Sequence, residues 1–190
     1  MVTEDITSRI LAYIREQTLR PHDEIAELVS SSHEQFLAVI TELGEGLAAR
    51  KPAAHEWSVR ELVRHVILAE QSVAGVVAAL ARGNSTAGDR LGPAGGMLHD
   101  DGRPWAAYIE LLRETNASLL AAIRGLQAAP DVVTTARHPL LGPLNCVEWA
   151  VSHRVHDADH IQHAQRIVMA LAQQWLVGPC AALGRGNGRS

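Results

Sequence analysis

Residues 149–171, WAVSHRVHDADHIQHAQRIVMAL, decide the fold, because they combine a helical repeat with four histidines. Steps of three and four along this stretch, starting from Trp149, reach His153, His156, His160, His163, Ile167 and Leu171. Residues at this spacing share one face of an α-helix, and this face begins and ends with apolar side chains. The stretch therefore predicts a long last helix, over about 145–174, whose histidines point into the protein.

The rest of the chain shows the same periodicity, interrupted by segments rich in Gly and Pro. Apolar stripes predict further helices over about 4–18, 23–43, 58–81 and 104–127. The helix from Ser58 has the sharpest start, because Ser58 and Glu61 form an S-x-x-E capping box. Alternation at period two is nearly absent, so we expect an all-α fold.

Two connections join the predicted helices. Residues 83–102, GNSTAGDRLGPAGGMLHDDG, are long enough for a crossover loop, and residues 130–144 form the second connection. No internal repeat or domain boundary is visible. We therefore expect one domain over residues 1–175, followed by a flexible tail over 176–190.

Composition excludes several classes of function. The 190-residue chain has a net charge of −4, which gives no electrostatic reason to bind nucleic acid. No run approaches the roughly 20 apolar residues of a membrane span, and the N-terminus, MVTEDITSRI, does not resemble a secretion signal. We therefore expect a cytoplasmic protein without a membrane partner.

The two cysteines, Cys146 and Cys180, form no CxxC pair and no disulfide framework. Cys146 lies near the start of the last predicted helix, where a thiol can be activated. The alternative is that Cys146 is a small buried side chain without reactivity.

Four histidines on a buried face need bonding partners, since each unpaired buried polar group costs about 1–3 kcal/mol. A divalent metal ion would be such a partner for their ring nitrogens. His156 and His160 are four residues apart, so their imidazoles lie one turn apart on one side of the helix. His65, three residues after Leu62, lies on the buried stripe of a facing helix and is the natural third ligand. Core histidines that are only hydrogen-bonded are the alternative.

The other polar residues receive different predictions. Three histidine ligands leave a coordination position for water or substrate, and His153 and His163 are then the candidate catalytic acid–base groups. Asn116 falls on the seam of its helix, as a polar group facing the site or as a core residue that sets the register. We expect no metal role for the histidines in loops or on polar faces, and we expect the two aspartates near His160 to be solvated: His22, His33, His55, His99, His138, Asp157 and Asp159.

Three segments carry a resemblance to a known family. The motif W57-S-V-R-E-L-V-R-H65 followed by Glu70, the pair H156-D-A-D-H160, and HPLLGPL over 138–144 resemble the DinB-like (DinB/YfiT-like) family over about residues 24–172. The resemblance implies a four-helix bundle, here with an additional short N-terminal helix, and a homodimer. It also implies a site for zinc, nickel or iron on His65, His156 and His160.

The resemblance further implies a reaction class. Family members of known activity include thiol S-transferases that use bacillithiol or mycothiol and the mycothiol-dependent maleylpyruvate isomerase. We see no counterpart of the isomerases' second domain in this sequence and therefore expect that specific reaction less than the others. We therefore expect a metal-dependent transferase or hydrolase that acts on a small molecule with a low-molecular-weight thiol. A non-catalytic metal or small-molecule binding module for stress response is the alternative.

The sequence departs from the family pattern at one position. A glutamine often follows the second histidine of the pair by three residues, and His163 stands there. His163 is then either a fourth metal ligand or a catalytic group, and the sequence leaves both readings open.

Overall fold

The computed structural model describes residues 2–86, 96–126 and 130–177. Within these ranges the helices are α1 (Val2–Gln17), α2 (His22–Ile40), α3 (Glu45–Ala48), α4 (Val59–Leu80), α5 (Trp105–Arg124) and α6 (Cys146–Val177). A short hairpin, β1 (Ala136–His138) and β2 (Gly142–Leu144), precedes α6. The predicted all-α four-helix bundle is confirmed, with α1 as the additional N-terminal helix.

The two helices that carry the histidines begin at defined caps. At the start of α4, Ser58 Oγ accepts a 3.2 Å hydrogen bond from the Glu61 backbone N–H, and Glu61 Oε2 accepts a 2.8 Å bond from the Ser58 N–H. Asn145 and Glu148 make the same reciprocal arrangement at the start of α6. These bonds satisfy N–H groups that lack partners within the helix, so they define where each helix begins.

The bundle consists of α2, α4, α5 and α6. Helices α2 and α4 each pack against both α5 and α6, and α1 packs on α6. The apolar core falls into two clusters: one surrounds Leu62, Tyr108 and Ile167, and the other surrounds Val29, Leu119 and Trp149.

A layer of buried polar residues lies between these clusters. Each bundle helix contributes to this polar layer, whose members are His33, Glu70, Thr115, Asn116, His153 and Asp157. The middle of the bundle therefore carries hydrogen-bonding groups where apolar side chains would otherwise meet.

The described residues include one short hairpin, which the nearly absent strand signals did not predict. Antiparallel pairing joins Ala136 to Leu144, Arg137 to Pro143 and His138 to Gly142. Each strand has only three residues, so no alternation at period two can develop in the sequence. Trp149 Nε1 donates a 3.3 Å hydrogen bond to the Ala136 carbonyl oxygen, which holds the hairpin against α6. The four-residue helix α3 was not predicted either.

Two predicted flexible segments lie partly outside the described residues. Of the crossover loop over 83–102, residues 87–95 are not described, whereas Leu98 is joined to α4 by backbone and side-chain bonds with Arg64. Helix α6 continues to Val177, and residues 178–190 of the predicted tail are not described. The prediction of one domain over 1–175 stays a prediction.

Among the described helices, α4 is long and apolar enough to cross a membrane by length and composition alone. Half of its apolar window is buried inside the protein, where Leu62, Val66 and Val77 belong to the core. Core packing therefore accounts for the composition of α4, and its length is weak evidence for a membrane span.

Candidate metal centre

Three imidazoles converge between α4 and α6. His156 Nε2 lies 3.2 Å from His65 Nε2 and 3.0 Å from His160 Nε2. One ligand atom from each ring lies within 4.8 Å of the other two. The geometry brings together the three residues that the sequence predicted as ligands, and it places them on two separate helices.

The backbone sets the protonation of His65. Its Nδ1 lies 2.6 Å from the carbonyl oxygen of Gly96, and a carbonyl oxygen only accepts hydrogen bonds. The Nδ1 atom of His65 must therefore carry the proton, and the neutral ring presents a lone pair on Nε2. An imidazole that binds a metal through Nε2 needs this tautomer, and its Nδ1–H is commonly held by a carboxylate, a backbone carbonyl or water.

The donor set fits a metal ion better than it fits hydrogen bonding. A proton on His156 Nε2 can form a hydrogen bond to only one of the two neighbouring nitrogens. The other close nitrogen–nitrogen contact is then left without a hydrogen bond. Two nitrogens about 2.0–2.1 Å from one ion lie about 2.9 Å apart at a right angle and about 3.4 Å apart at the tetrahedral angle. The observed separations of 3.0 and 3.2 Å fall between these values.

Burial keeps two of these imidazoles neutral. Burial lowers the pKa of His160 to about 2, and the nearby rings of His156 and His65 lower it further. Burial also lowers the pKa of His156, despite the opposing effect of Asp157. Only a neutral imidazole offers a lone pair to a cation. Near neutral pH the lowered pKa values therefore leave these lone pairs available for metal binding.

A pocket of about 370 Å³ opens beside the three histidines. Trp57 and Trp149 contribute aromatic surface to its wall, and Leu68, Val73 and Leu140 contribute aliphatic surface. The walls are mainly apolar, and the polar groups concentrate at the imidazoles. This arrangement is typical of a small-molecule site in which a few polar groups orient the ligand.

The two predicted catalytic histidines lie next to different members of the converging group, His153 beside His156 and His163 nearer to His160. His153 is buried, lines the pocket and stacks on His156 with ring centroids 5.2 Å apart. His163 packs beside Trp57, with its ring centroid 6.3 Å from that of His160. Among the described residues, His163 does not join the group whose ligand atoms converge.

The pKa values of these two rings are also shifted in opposite directions. Burial lowers the pKa of His153, but Asp157 and Glu70 outweigh it and the pKa rises above its ordinary value. Burial and Arg166 lower the pKa of His163. Of the two, His163 is the one whose surroundings favour the neutral ring.

Two predictions about polar residues were wrong. His33 was assigned to a loop or a polar face, but it is buried on α2, where its Nδ1 donates a 3.1 Å bond to Glu70 Oε1. Asp157 was expected to be solvated, but it is 3% exposed and accepts a bond from Ser32 Oγ. The spacing of His33 from Val29 and Phe36 was the available signal, because steps of four and three join these residues.

His138 was also assigned to a loop or a polar face, but it lies in β1 and lines the pocket. Its Nδ1 accepts 3.2 Å bonds from the N–H groups of both Leu140 and Leu141, so Nε2 carries the proton of the neutral ring. Burial, followed by the charge of His156, lowers its pKa to about 4. His138 therefore presents an uncharged N–H donor in the pocket beside the three converging histidines.

Glu70 is the centre of the polar layer and is fully buried. Its carboxylate accepts hydrogen bonds from His33, Thr115 and Asn116, at 3.1, 2.5 and 3.1 Å. Burial raises its pKa, but the neighbouring imidazoles of His153 and His33 outweigh burial and lower the pKa to about 2. Asn116 is therefore a core residue bonded to a buried carboxylate, which is nearer to the register-setting alternative.

Cys146 does not have the properties of a catalytic thiol. Cys146 is fully buried, and burial raises the pKa of its thiol. The reading of Cys146 as a small buried side chain is supported, and Cys180 lies outside the described residues.

Comparison with known proteins agrees with this architecture. The chain is similar to TT2238, a four-helix bundle protein whose crystal structure aligns with a TM-score of 0.59 at 22% sequence identity. That alignment covers 77% of this chain and 99% of the other, and it shows the fold. No curated protein matches significantly. The family model of the DinB superfamily matches residues 13–164, a range that contains all three converging histidines and most of the chain, and we conclude that the chain belongs to the DinB superfamily.

Proposed function

We propose that His65, His156 and His160 bind one divalent ion (zinc, nickel or iron) through their Nε2 atoms. The observation that carries the proposal is the convergence of these atoms, with the His65 lone pair aimed inward by the Gly96 carbonyl. Held by these three residues, such an ion would supply Lewis acidity and would lower the pKa of a coordinated water or thiol.

We further propose that the protein is a metal-dependent transferase or hydrolase that uses a low-molecular-weight thiol such as mycothiol or bacillithiol. The pocket beside the ligands supports a small-molecule substrate, and Trp57, Trp149 and Leu140 would bind its apolar part. Cys146 is buried with a raised pKa, so the described part of the chain offers no thiol nucleophile of its own. The nucleophile is then an external thiol or water.

Proton transfer is assigned to the two flanking histidines. His153 lines the pocket, and His163 has a lowered pKa that favours the basic form near neutral pH. The His138 Nε2–H, which lines the same pocket, would donate a hydrogen bond to the substrate.

The first experiment measures metal binding and turnover together. Untagged protein, stripped with a chelator and reloaded with zinc, nickel or ferrous iron, is mixed with a low-molecular-weight thiol and monochlorobimane. We expect a metal-dependent conjugation rate that His156→Ala abolishes and His55→Ala, at an exposed position, preserves. Equal rates for wild type and His156→Ala would contradict the enzymatic proposal.

The same experiment separates the alternative function. One tightly bound equivalent of metal with no turnover for any thiol or ester substrate would favour a non-catalytic binding module. The homodimer, the cytoplasmic location and the absence of nucleic-acid and membrane partners stay predictions. Sedimentation equilibrium tests the first of them.

A further inference from the structure

The polar layer contains two buried carboxylates, Glu70 and Asp157, which are 0% and 3% exposed. Their ion-pair partners among the described residues are histidines, with no lysine or arginine. Two carboxylates removed from water carry a large desolvation cost unless positive charge lies beside them. This charge must come from the imidazoles or from a bound cation.

The two carboxylates differ in how well they are satisfied. Both oxygens of Glu70 accept hydrogen bonds from Thr115, Asn116 or His33. Asp157 Oδ2 accepts a 3.1 Å bond from Ser32 Oγ. Asp157 Oδ1 faces two imidazoles instead, at 3.3 Å from His153 Nε2 and 3.8 Å from His156 Nδ1.

The nitrogens that face Asp157 Oδ1 are buried and unsatisfied. Neither ring nitrogen of His153, nor Nδ1 of His156, has a hydrogen-bond partner among the described residues. The His153 side chain is 1% exposed. One possible ligand atom from each of His153, His156 and Asp157 thus lies within 4.8 Å of the other two.

This group differs from the cluster formed by the Nε2 atoms. His156 stands between the two groups, with Nε2 directed to His65 and His160 and Nδ1 on the side of Asp157. The 3.3 Å separation of His153 Nε2 and Asp157 Oδ1 is close to the spacing of two ligands each about 2.0–2.2 Å from one ion. Two imidazole nitrogens and a carboxylate oxygen are typical ligands of divalent transition ions.

We propose that His153, Asp157 and the Nδ1 side of His156 form a second, buried site for a divalent transition ion, deeper in the bundle than the first. Glu70 Oε1, 3.9 Å from His153 Nε2, supplies the second negative charge, so the two carboxylates balance a divalent cation. His153 and His156 both line the pocket, which gives the ion an entry path. When both sites are filled, the His156 ring is shared, and its remaining proton is released to solvent.

The inference goes beyond the proposed reaction, because the second ion needs no substrate and His65 takes no part in holding it. With that ion bound to His153, proton transfer in the proposed reaction falls to His163. If no ion binds there, a proton on His153 balances the carboxylates instead. Metal stoichiometry decides between the two.

The test titrates chelator-stripped, untagged protein with Co²⁺, and measures bound metal after desalting together with the visible absorption. We expect two equivalents for wild type and for His55→Ala, which controls for binding at exposed histidines. His65→Ala weakens the first site and should retain the second equivalent. His153→Phe, which keeps a ring against His156, and Asp157→Asn, which can keep the contact with Ser32, should each retain only the first.

The outcomes separate the two proposals. A single equivalent in wild type, or two equivalents in both His153→Phe and Asp157→Asn, would overturn the second site. An unchanged stoichiometry and spectrum in His65→Ala would overturn the first site without touching the second. Circular dichroism verifies folding, and either of the two second-site variants suffices if the other fails to fold.

Discussion

His65 Nδ1 donates a 2.6 Å hydrogen bond to the carbonyl oxygen of Gly96, 31 positions along the chain. This bond sets the tautomer of His65, on α4, from the far end of the crossover connection. Arg64 reinforces it, because its Nε donates to the Leu98 carbonyl oxygen and its backbone carbonyl accepts from the Leu98 N–H. The loop end therefore orients a proposed metal ligand in addition to joining two helices.

Removal of His65 should therefore weaken metal binding severely. We expect His65→Ala to raise the dissociation constant of the first ion by more than about 100-fold, since loss of an outer-sphere partner alone costs about 10–100-fold. Competition with a chromophoric chelator measures the change. His55→Ala, at an exposed residue, is the matched control, and a loss below tenfold would contradict the ligand role.

His163 should behave differently from the three converging histidines. Because its ring lies outside the converging group, we expect His163→Ala to lose less metal affinity than the roughly 10–100-fold expected for a group that supports a ligand. Its conjugation rate should fall nonetheless, if the ring transfers protons. An affinity loss as large as that of His160→Ala would show that His163 is a fourth ligand.

Glu70 should be a large contributor to stability. Glu70→Ala leaves His33, Thr115 and Asn116 without their acceptor inside the bundle, and loss of one partner from a buried charged group costs about 3–5 kcal/mol. Urea denaturation of the metal-free protein measures the free energy of unfolding. Gln71→Ala, at the next and exposed position of α4, should change it by less than about 0.5 kcal/mol. Comparable values for the two variants would contradict this account of the polar layer.

The capping box should stabilise the helix that carries His65. We expect Ser58→Ala to lower the free energy of unfolding by about 1 kcal/mol, since the Glu61 backbone N–H loses its acceptor. Thermal denaturation provides the comparison, with Ser118→Ala on the exposed side of α5 as the control. Equal melting temperatures for the two variants would refute the contribution of the cap.

Acid should destabilise the metal-free protein through His160. Its pKa is lowered to about 2 in the folded protein, whereas an unfolded histidine titrates near about 6.5. The unfolded chain therefore binds more protons below that pH, and stability present above about pH 6.5 is lost as the pH falls. For this residue the loss amounts to about 2 kcal/mol between pH 7.5 and 5.

The check compares urea denaturation of wild type and His160→Gln across that pH range. We expect the stability of the variant to depend less on pH, by roughly the amount assigned to His160, while His55→Gln follows wild type. Parallel curves for wild type and His160→Gln would show that burial does not perturb this imidazole.

Much of the fold was readable because helical signals are local. The S-x-x-E pattern at Ser58 predicted the start of α4 through bonds between residues three apart, and these bonds are present. The hairpin at 136–144 was missed because its strands are held by a bond from Trp149 and by cross-strand pairing. Three-residue strands leave too little sequence to display a period.

The hydrogen-bond partners of Glu70, by contrast, could not be predicted from the sequence. The sequence placed it five residues after His65, but its partners come from three other helices. Nothing in the spacing of α4 indicates which residues of α2, α5 or α6 lie opposite, because that depends on how the helices pack. A polar layer across a bundle is therefore a property of the assembled helices.

By itself, the sequence determined that α6 is one long helix and that His156 and His160 lie on one side of it, since residues four apart are neighbours on any α-helix. It did not determine the rotation of that helix in the bundle. Steps of three and four from His153 to His160 pass equally well through His156 or through Asp157. Only the packing of α2 and α4 against α6 decided that Asp157 is buried in the polar layer, while His156 stands at the pocket beside His65. Helical periodicity defines a face to within about half a turn, and tertiary contacts select the residues at its centre.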